Sequence, residues 1–161
     1  LKLKPICKQY NVPLIINDNV KLAKEIDADG VHLGQDDLNI KAAREYLGAD
    51  KIIGVSAHNV KEALEAENGG ADYLGSGAAF VTSTKTDAGA IDHKVLSDVA
   101  HSVKIPVVAI GGINKDNISQ LEGLGLDGVA VVSAIFAADD ISSAVIDLKA
   151  KAEKVAESSI K

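Results

Sequence analysis

Three groups of residues have the types and spacing to handle anionic ligands. Asn17 and Asp18 end the apolar run that starts at Leu14, and Asp37 closes a similar stretch, GVHLGQDD, one repeat later. Brought together, the two carboxylates would suit a hard cation such as Mg²⁺, which takes one or two carboxylates and leaves its other positions to water and phosphate oxygens. The second group lies in AAFVTSTKTDAGA, where Thr82, Ser83 and Thr84 carry hydroxyl donors and Lys85 a point charge suited to a phosphate. The third is made of small residues near the C-terminus: Gly112 in IGGIN, then Val132 and Ser133 in VVSAIF, where backbone N–H groups are available to a phosphate. Taken alone, Asp18 and Asp37 read equally well as solvated helix-start carboxylates, and the long loop as a polar connection. Ser56, at the end of KIIGVSA, is either a hydrogen-bond donor or a helix-entry residue. His32, His58, His93 and His101 show no metal-ligand spacing and read as packing or surface residues, although His32 and His58 fall near the same strand ends.

The elements that must position these residues recur along the chain. Apolar runs rich in Val and Ile begin at Val12, Gly30, Lys51, Ala71, Pro106 and Gly128, most of them spaced by about twenty residues, as in an internal βα repeat. Between them lie stretches of helical periodicity, with start signals such as Asn59 before VKEALEAE and Asn114 before KDNISQLEGL. DADG, GGAD and GLDG mark helix ends. Strands apolar on both faces and alternating with helices imply a parallel sheet covered by helices. No G-x-G-x-x-G follows the first strand, which argues against a dinucleotide fold. Nearly every strand instead ends in small or polar residues, Asn17 and Asp18, Gly34 and Gln35, Ser56, Ser76 and Gly77, Gly111 and Gly112, and Ser133, as expected where a (β/α)8 TIM barrel collects its strand ends around an active site. About six of the eight βα units are present. Residues 1–161 are therefore expected to be a single barrel domain that is N-terminally incomplete, with two units, roughly 50 to 80 residues, expected ahead of Leu1.

Composition narrows the function classes. The chain has 161 residues, a net charge of −6 and 3% aromatic residues, which argue against broad nucleic-acid or membrane binding. No apolar run approaches the ~20 residues needed to span a bilayer, and the first residues do not form a signal peptide, so the cytoplasm is the expected compartment. The single cysteine, Cys7, has no partner for an internal disulfide and reads as structural.

In order and over almost the whole chain, LIINDNVKLAKEIDADGVHLGQDD, IIGVSAHNVKEALEAENGGADYLGSG, TSTKTDA, VVAIGGIN and DGVAVVSAIF together resemble the thiamine phosphate synthase family. The glycine motifs are individually common among phosphate-binding barrels; the combined string is specific. The resemblance implies a transferase that joins hydroxymethylpyrimidine diphosphate to a thiazole phosphate, giving thiamine phosphate and diphosphate. It assigns Mg²⁺ to Asp18 and to Asp37 rather than Asp36, and the pyrimidine diphosphate to Asn17, Ser56 and Lys85, the last two being the catalytic pair. It assigns the thiazole phosphate to Thr82, Ser83, Thr84, Gly112, Val132 and Ser133. It also implies that Gly112→Val would block that ligand while sparing the fold. Ala78 and Val81 flank Phe80 where the family usually has prolines, and the family's early strand bearing glutamine, arginine and lysine has no counterpart here. The competing expectations are a thiazole tautomerase-like barrel, disfavoured by the paired carboxylates and Lys85, and a non-catalytic module that binds phosphate ligands. The expected partners are small molecules, not nucleic acid or membrane, and the sequence is compatible with a homo-oligomer.

Overall fold

The computed structural model describes residues 2–81 and 90–159. It opens with helix α1 (Leu3–Gln9) and then alternates strands and helices: β1 (Ile15–Asn17), α2 (Val20–Glu25), β2 (Gly30–Leu33), α3 (Ile40–Leu47), β3 (Ile52–Ala57), α4 (Val60–Gly69) and β4 (Tyr73–Gly77). There follow α5 (His93–Ser102), β5 (Val107–Ile110), a 3-10 turn (Ile118–Leu121), β6 (Gly128–Ala130), α6 (Ser133–Phe136) and α7 (Ile141–Glu157). The six strands are all parallel and lie in chain order, forming the curled part-barrel of a TIM-like fold, with six of its eight units.

Strand periodicity divides the sheet into two faces. The outer face carries Val31, Leu33, Ile53, Val55, Leu74, Val107 and Ala109, all buried against the helices. Full burial of a side chain the size of Leu74 contributes about 1.5–3 kcal/mol, so stability is concentrated in this layer. The inner face reads differently. The register places Asn17, His32, Gly54 and Tyr73 on one rung and Ser56, Gly75, Val108 and Gly128 on the next.

The turns at the two ends of the strands use polar side chains in different ways. At the amino ends, Asp29, Asp72 and Asp127 each stand just before a strand and accept an N–H at or beside the start of the preceding one: Leu14 at 2.7 Å, Ile53 at 2.7 Å and Val107 at 2.8 Å. The DADG, GGAD and GLDG motifs are thus helix ends that also tie neighbouring strands together. At the carboxyl ends, Asn19, Asn39, Asn59, Asp92 and Asp140 cap the helices that follow, each accepting a backbone N–H of the first turn. A cap of this kind contributes about 1 kcal/mol.

Two expectations are corrected. The helix expected after Asn114 shrinks to the single 3-10 turn. Asn114 and Asn117 spend their side chains on local turns, accepting from the Asp116 and Asn114 N–H groups, and Gly123 and Gly125 follow with positive φ. Ser133 does not end a strand; β6 stops at Ala130, and Ser133 is the first residue of α6. Among the described residues, no helix is long and apolar enough to cross a membrane.

Candidate functional site

At the carboxyl ends of the strands a cavity of about 300 Å³ opens on the inner face. One side of it is formed by Asn17, Asp18, His32, Gly34, Ser56 and His58, and the opposite side by Gly111, Gly112, Ile113, Val131, Val132 and Ser133.

Asp18 reaches this position through its backbone. Its N–H donates to the His32 carbonyl at 2.8 Å, continuing the β1–β2 ladder by one bond, and its φ of 62° then turns the chain into the Asn19 cap of α2. Asp and Asn tolerate that left-handed conformation better than most residues. Asp37 is placed differently from the expectation drawn for it: it does not line the cavity, and its carboxylate accepts the N–H of Gly34, which does, at 2.6 Å. Gln35 braces the same loop by donating to the Ser56 carbonyl at 2.5 Å.

Ser56 sits on the cavity floor with its Oγ 3.0 Å from His32 Nε2, and His32 Nδ1 lies 2.9 Å from the Tyr73 hydroxyl. Burial raises the Tyr73 pKa above its ordinary value. His58 is bound to Glu62 twice, through its backbone N–H at 2.8 Å and its ring Nδ1 at 2.9 Å. Partial burial pushes the Glu62 pKa up, but the hydrogen bonds from His58 and Asn59 outweigh it and leave the carboxyl below its ordinary value.

The opposite side is built from backbone. Gly111 and Gly112 have φ of 101° and 66°, and the Gly112 carbonyl accepts from Asn117 Nδ2 at 2.9 Å. A Cβ on Gly112 would stand 2.7 Å from the Val81 carbonyl oxygen and 2.8 Å from that of Phe80. Gly112→Val would therefore displace the chain after β4, and the expectation that it spares the fold does not hold. Val132 occupies the N-cap of α6 without a side-chain cap, beside Ser133 in the cavity wall.

Of the residues singled out in the sequence, the fold brings Asn17, Asp18, Ser56, Gly112, Val132 and Ser133 together around one space, while Asp37 stands behind Gly34. Thr82, Ser83, Thr84 and Lys85 lie outside the described residues. The sequence reading did not anticipate that His32 and Tyr73 join Ser56 through hydrogen bonds. Their usable signal was phase: His32 shares the inner-facing register of Asn17, next to the glycines at 54 and 75. Among the described residues no group of three or more His, Cys, Asp or Glu side chains gathers into a metal cage. The carboxylate that lines the cavity is that of Asp18, with Asp37 in the loop after the next strand, held against the Gly34 N–H. That set fits a cation taking few protein ligands, such as Mg²⁺.

Comparison with known proteins agrees with this geometry. The family model described as thiamine monophosphate synthase matches residues 1–135. The thiamine-phosphate synthase of Clostridium acetobutylicum is 55% identical over 141 residues, covering 88% of this chain and 67% of that protein. Its counterpart from Methanobrevibacter smithii is 54% identical, covering 86% of this chain and 66% of the relative. Among solved structures, the thiamine phosphate pyrophosphorylase of Pyrococcus furiosus superposes with a TM-score of 0.87 at 44% identity, over 95% of this chain and 73% of that one. With its motifs, fold and cavity in agreement, the chain belongs to the thiamine monophosphate synthase family, transferases of thiamine biosynthesis.

Proposed function

We propose that this cavity couples hydroxymethylpyrimidine diphosphate to a thiazole phosphate, forming thiamine phosphate and releasing diphosphate. One observation carries the reading: a side bearing Asn17 and Asp18 and a glycine-rich side built from backbone face the same space, so that two anionic groups can be held apart and their organic parts brought together. Asp18 and, with the carboxylate oxygen that Gly34 does not engage, Asp37 would hold Mg²⁺, which when bound supplies positive charge to the departing diphosphate. Asn17 contacts that diphosphate, and Ser56 fixes the pyrimidine ring on the cavity floor. Lys85, assigned from the family resemblance, adds positive charge where the leaving group gains negative charge. Backbone N–H groups around Gly112, Val132 and Ser133 hold the thiazole phosphate, and the hydroxyls of Thr82, Ser83 and Thr84 are assigned to it from the family resemblance.

In the reaction the CH₂–O bond breaks and its electron pair leaves with the diphosphate. The thiazole nitrogen lone pair then forms the new C–N bond to the methylene carbon. No protein nucleophile takes part. Both substrates are small molecules, and the setting is cytoplasmic. The test is a coupling assay with both substrates and Mg²⁺. Thiamine phosphate and diphosphate are expected in equal amounts, and chelation should stop their formation. If the thiazole phosphate binds but no product forms under these conditions, the chain is a binding module instead.

A further inference from the structure

Among the described residues, the inner face holds a side-chain relay behind Ser56 whose other members the reaction above does not use. Tyr73, His32 and Ser56 are linked across three strands, Tyr73 Oη to His32 Nδ1 at 2.9 Å and His32 Nε2 to Ser56 Oγ at 3.0 Å, and only the last two line the cavity. The fold makes room for it. A Cβ on Gly54 would fall inside the Tyr73 ring, and one on Gly75 would stand 3.0 Å from His32 Cε1. Glycine at both places leaves room for the phenol and imidazole, whose ring centroids are 5.4 Å apart and whose planes are tilted by 41°.

We propose that His32 is a positioning residue: held by Tyr73, it donates from Nε2 to Ser56 and so leaves the serine proton directed into the cavity, as a donor to an unprotonated nitrogen of an aromatic ring. The inference rests on the reading that Ser56 faces the pyrimidine. The order of protons follows from the groups. A phenol is a better donor than a neutral imidazole, and an imidazole nitrogen is a better acceptor than a phenolic oxygen. Tyr73 therefore donates to Nδ1, and the ring proton sits on Nε2. Burial keeps Tyr73 protonated well beyond neutral pH. A serine hydroxyl has one proton, and one that accepts from Nε2–H keeps its proton for the ligand. In the opposite order Ser56 would donate to His32 and could only accept from the substrate.

Two measurements test this on the full chain. The first is the His32 tautomer, read from long-range ¹H–¹⁵N correlations at about pH 8, above the ordinary imidazole pKa of ~6.5. The Nε2–H form is expected, with Tyr73→Phe, which keeps the ring, shifting it towards a mixture. A dominant Nδ1–H form in the parent overturns the proposal. The second is a double-mutant cycle on KM. Tyr73→Phe is expected to raise KM for the pyrimidine diphosphate about fivefold to tenfold beside Ser56 but less than about twofold in Ser56→Ala, as the loss of one hydrogen bond acting through another predicts. KM for the thiazole phosphate should not move. Equal losses in both backgrounds, or a matching rise for the thiazole phosphate, overturn it. A parent that does not couple at all counts against the function proposed above, and the tautomer then decides the relay by itself.

Discussion

The two ends of the barrel strands place the same side chain, aspartate, in different surroundings. At the amino ends Asp29, Asp72 and Asp127 are spent on backbone N–H groups of neighbouring strands, and Asp72 also holds Arg44 at 2.7 Å. At the carboxyl ends Asp18 is turned by a left-handed backbone into the cavity wall, and Asp37 holds the loop beside it. A carboxylate at the amino ends is satisfied by the fold itself. At the other rim Asp37 is likewise held, by the Gly34 N–H, while Asp18 lines the cavity itself. Under the function proposed, the chemistry belongs to the rim where Asp18 stands, as the general architecture of such barrels leads one to expect.

The largest effect that sharpens this contrast is expected at the cavity. Asp18→Asn keeps a side chain that tolerates φ of 62° but removes the charge. Mg²⁺-dependent kcat should fall by about a hundredfold or more, the size of losing one transition-state electrostatic contact. Thermal stability and thiazole phosphate affinity should stay near those of the parent. If turnover survives while the melting temperature drops, the aspartate belongs to the structural class instead.

The converse effect is expected at the amino end. Asp72→Ala removes the acceptor for the Ile53 N–H and the partner of Arg44, and should destabilise the fold by about 2 kcal/mol, in the range for hydrogen bonds to a charged group. The kcat of the remaining folded protein should be close to that of the parent. Urea unfolding beside a kinetic assay separates the two, and an Asp72→Ala protein that keeps its stability but loses kcat would break the comparison.

How far the sequence foretold this arrangement follows the same division. The βα repeat was legible because its signals are local: Val- and Ile-rich runs, Asn and Asp at helix starts, glycines at helix ends. The cavity was legible where polar or small residues interrupt an apolar run at its end, as at Asn17–Asp18 and Gly111–Gly112. His32 was not, because it lies inside GVHL and its partners Ser56 and Tyr73 are 24 and 41 residues away, a proximity that only strand register creates. The short turn at Ile118–Leu121 was misread for the opposite reason. Asn114 is a good cap by type, but Asn117 and Asp116 draw its side chain and N–H into turns of their own.

The smallest expected effect concerns Asp27, which sits at the end of α2 on the structural rim and meets both Lys51 at 2.5 Å and Lys4 at 3.0 Å. Hydrogen bonds from Lys51 and Lys4, aided by their charges, lower its pKa from 3.8 to about 2. Because the folded-state value is the depressed one, the stability this ion pair contributes is fully present above the unfolded value of 3.8 and is lost as pH falls through about 2. The carboxylate is exposed, so water and salt screen the contribution and keep it small. Asp27→Asn should therefore lower the melting temperature slightly at neutral pH, and the gap between parent and variant should close as pH falls from about 4 towards 2. Raising the salt concentration at neutral pH should narrow the same gap. Melting curves collected across that range check both trends, and a gap that widens with acid would mean that Asp27 stabilises the fold by something other than its charge.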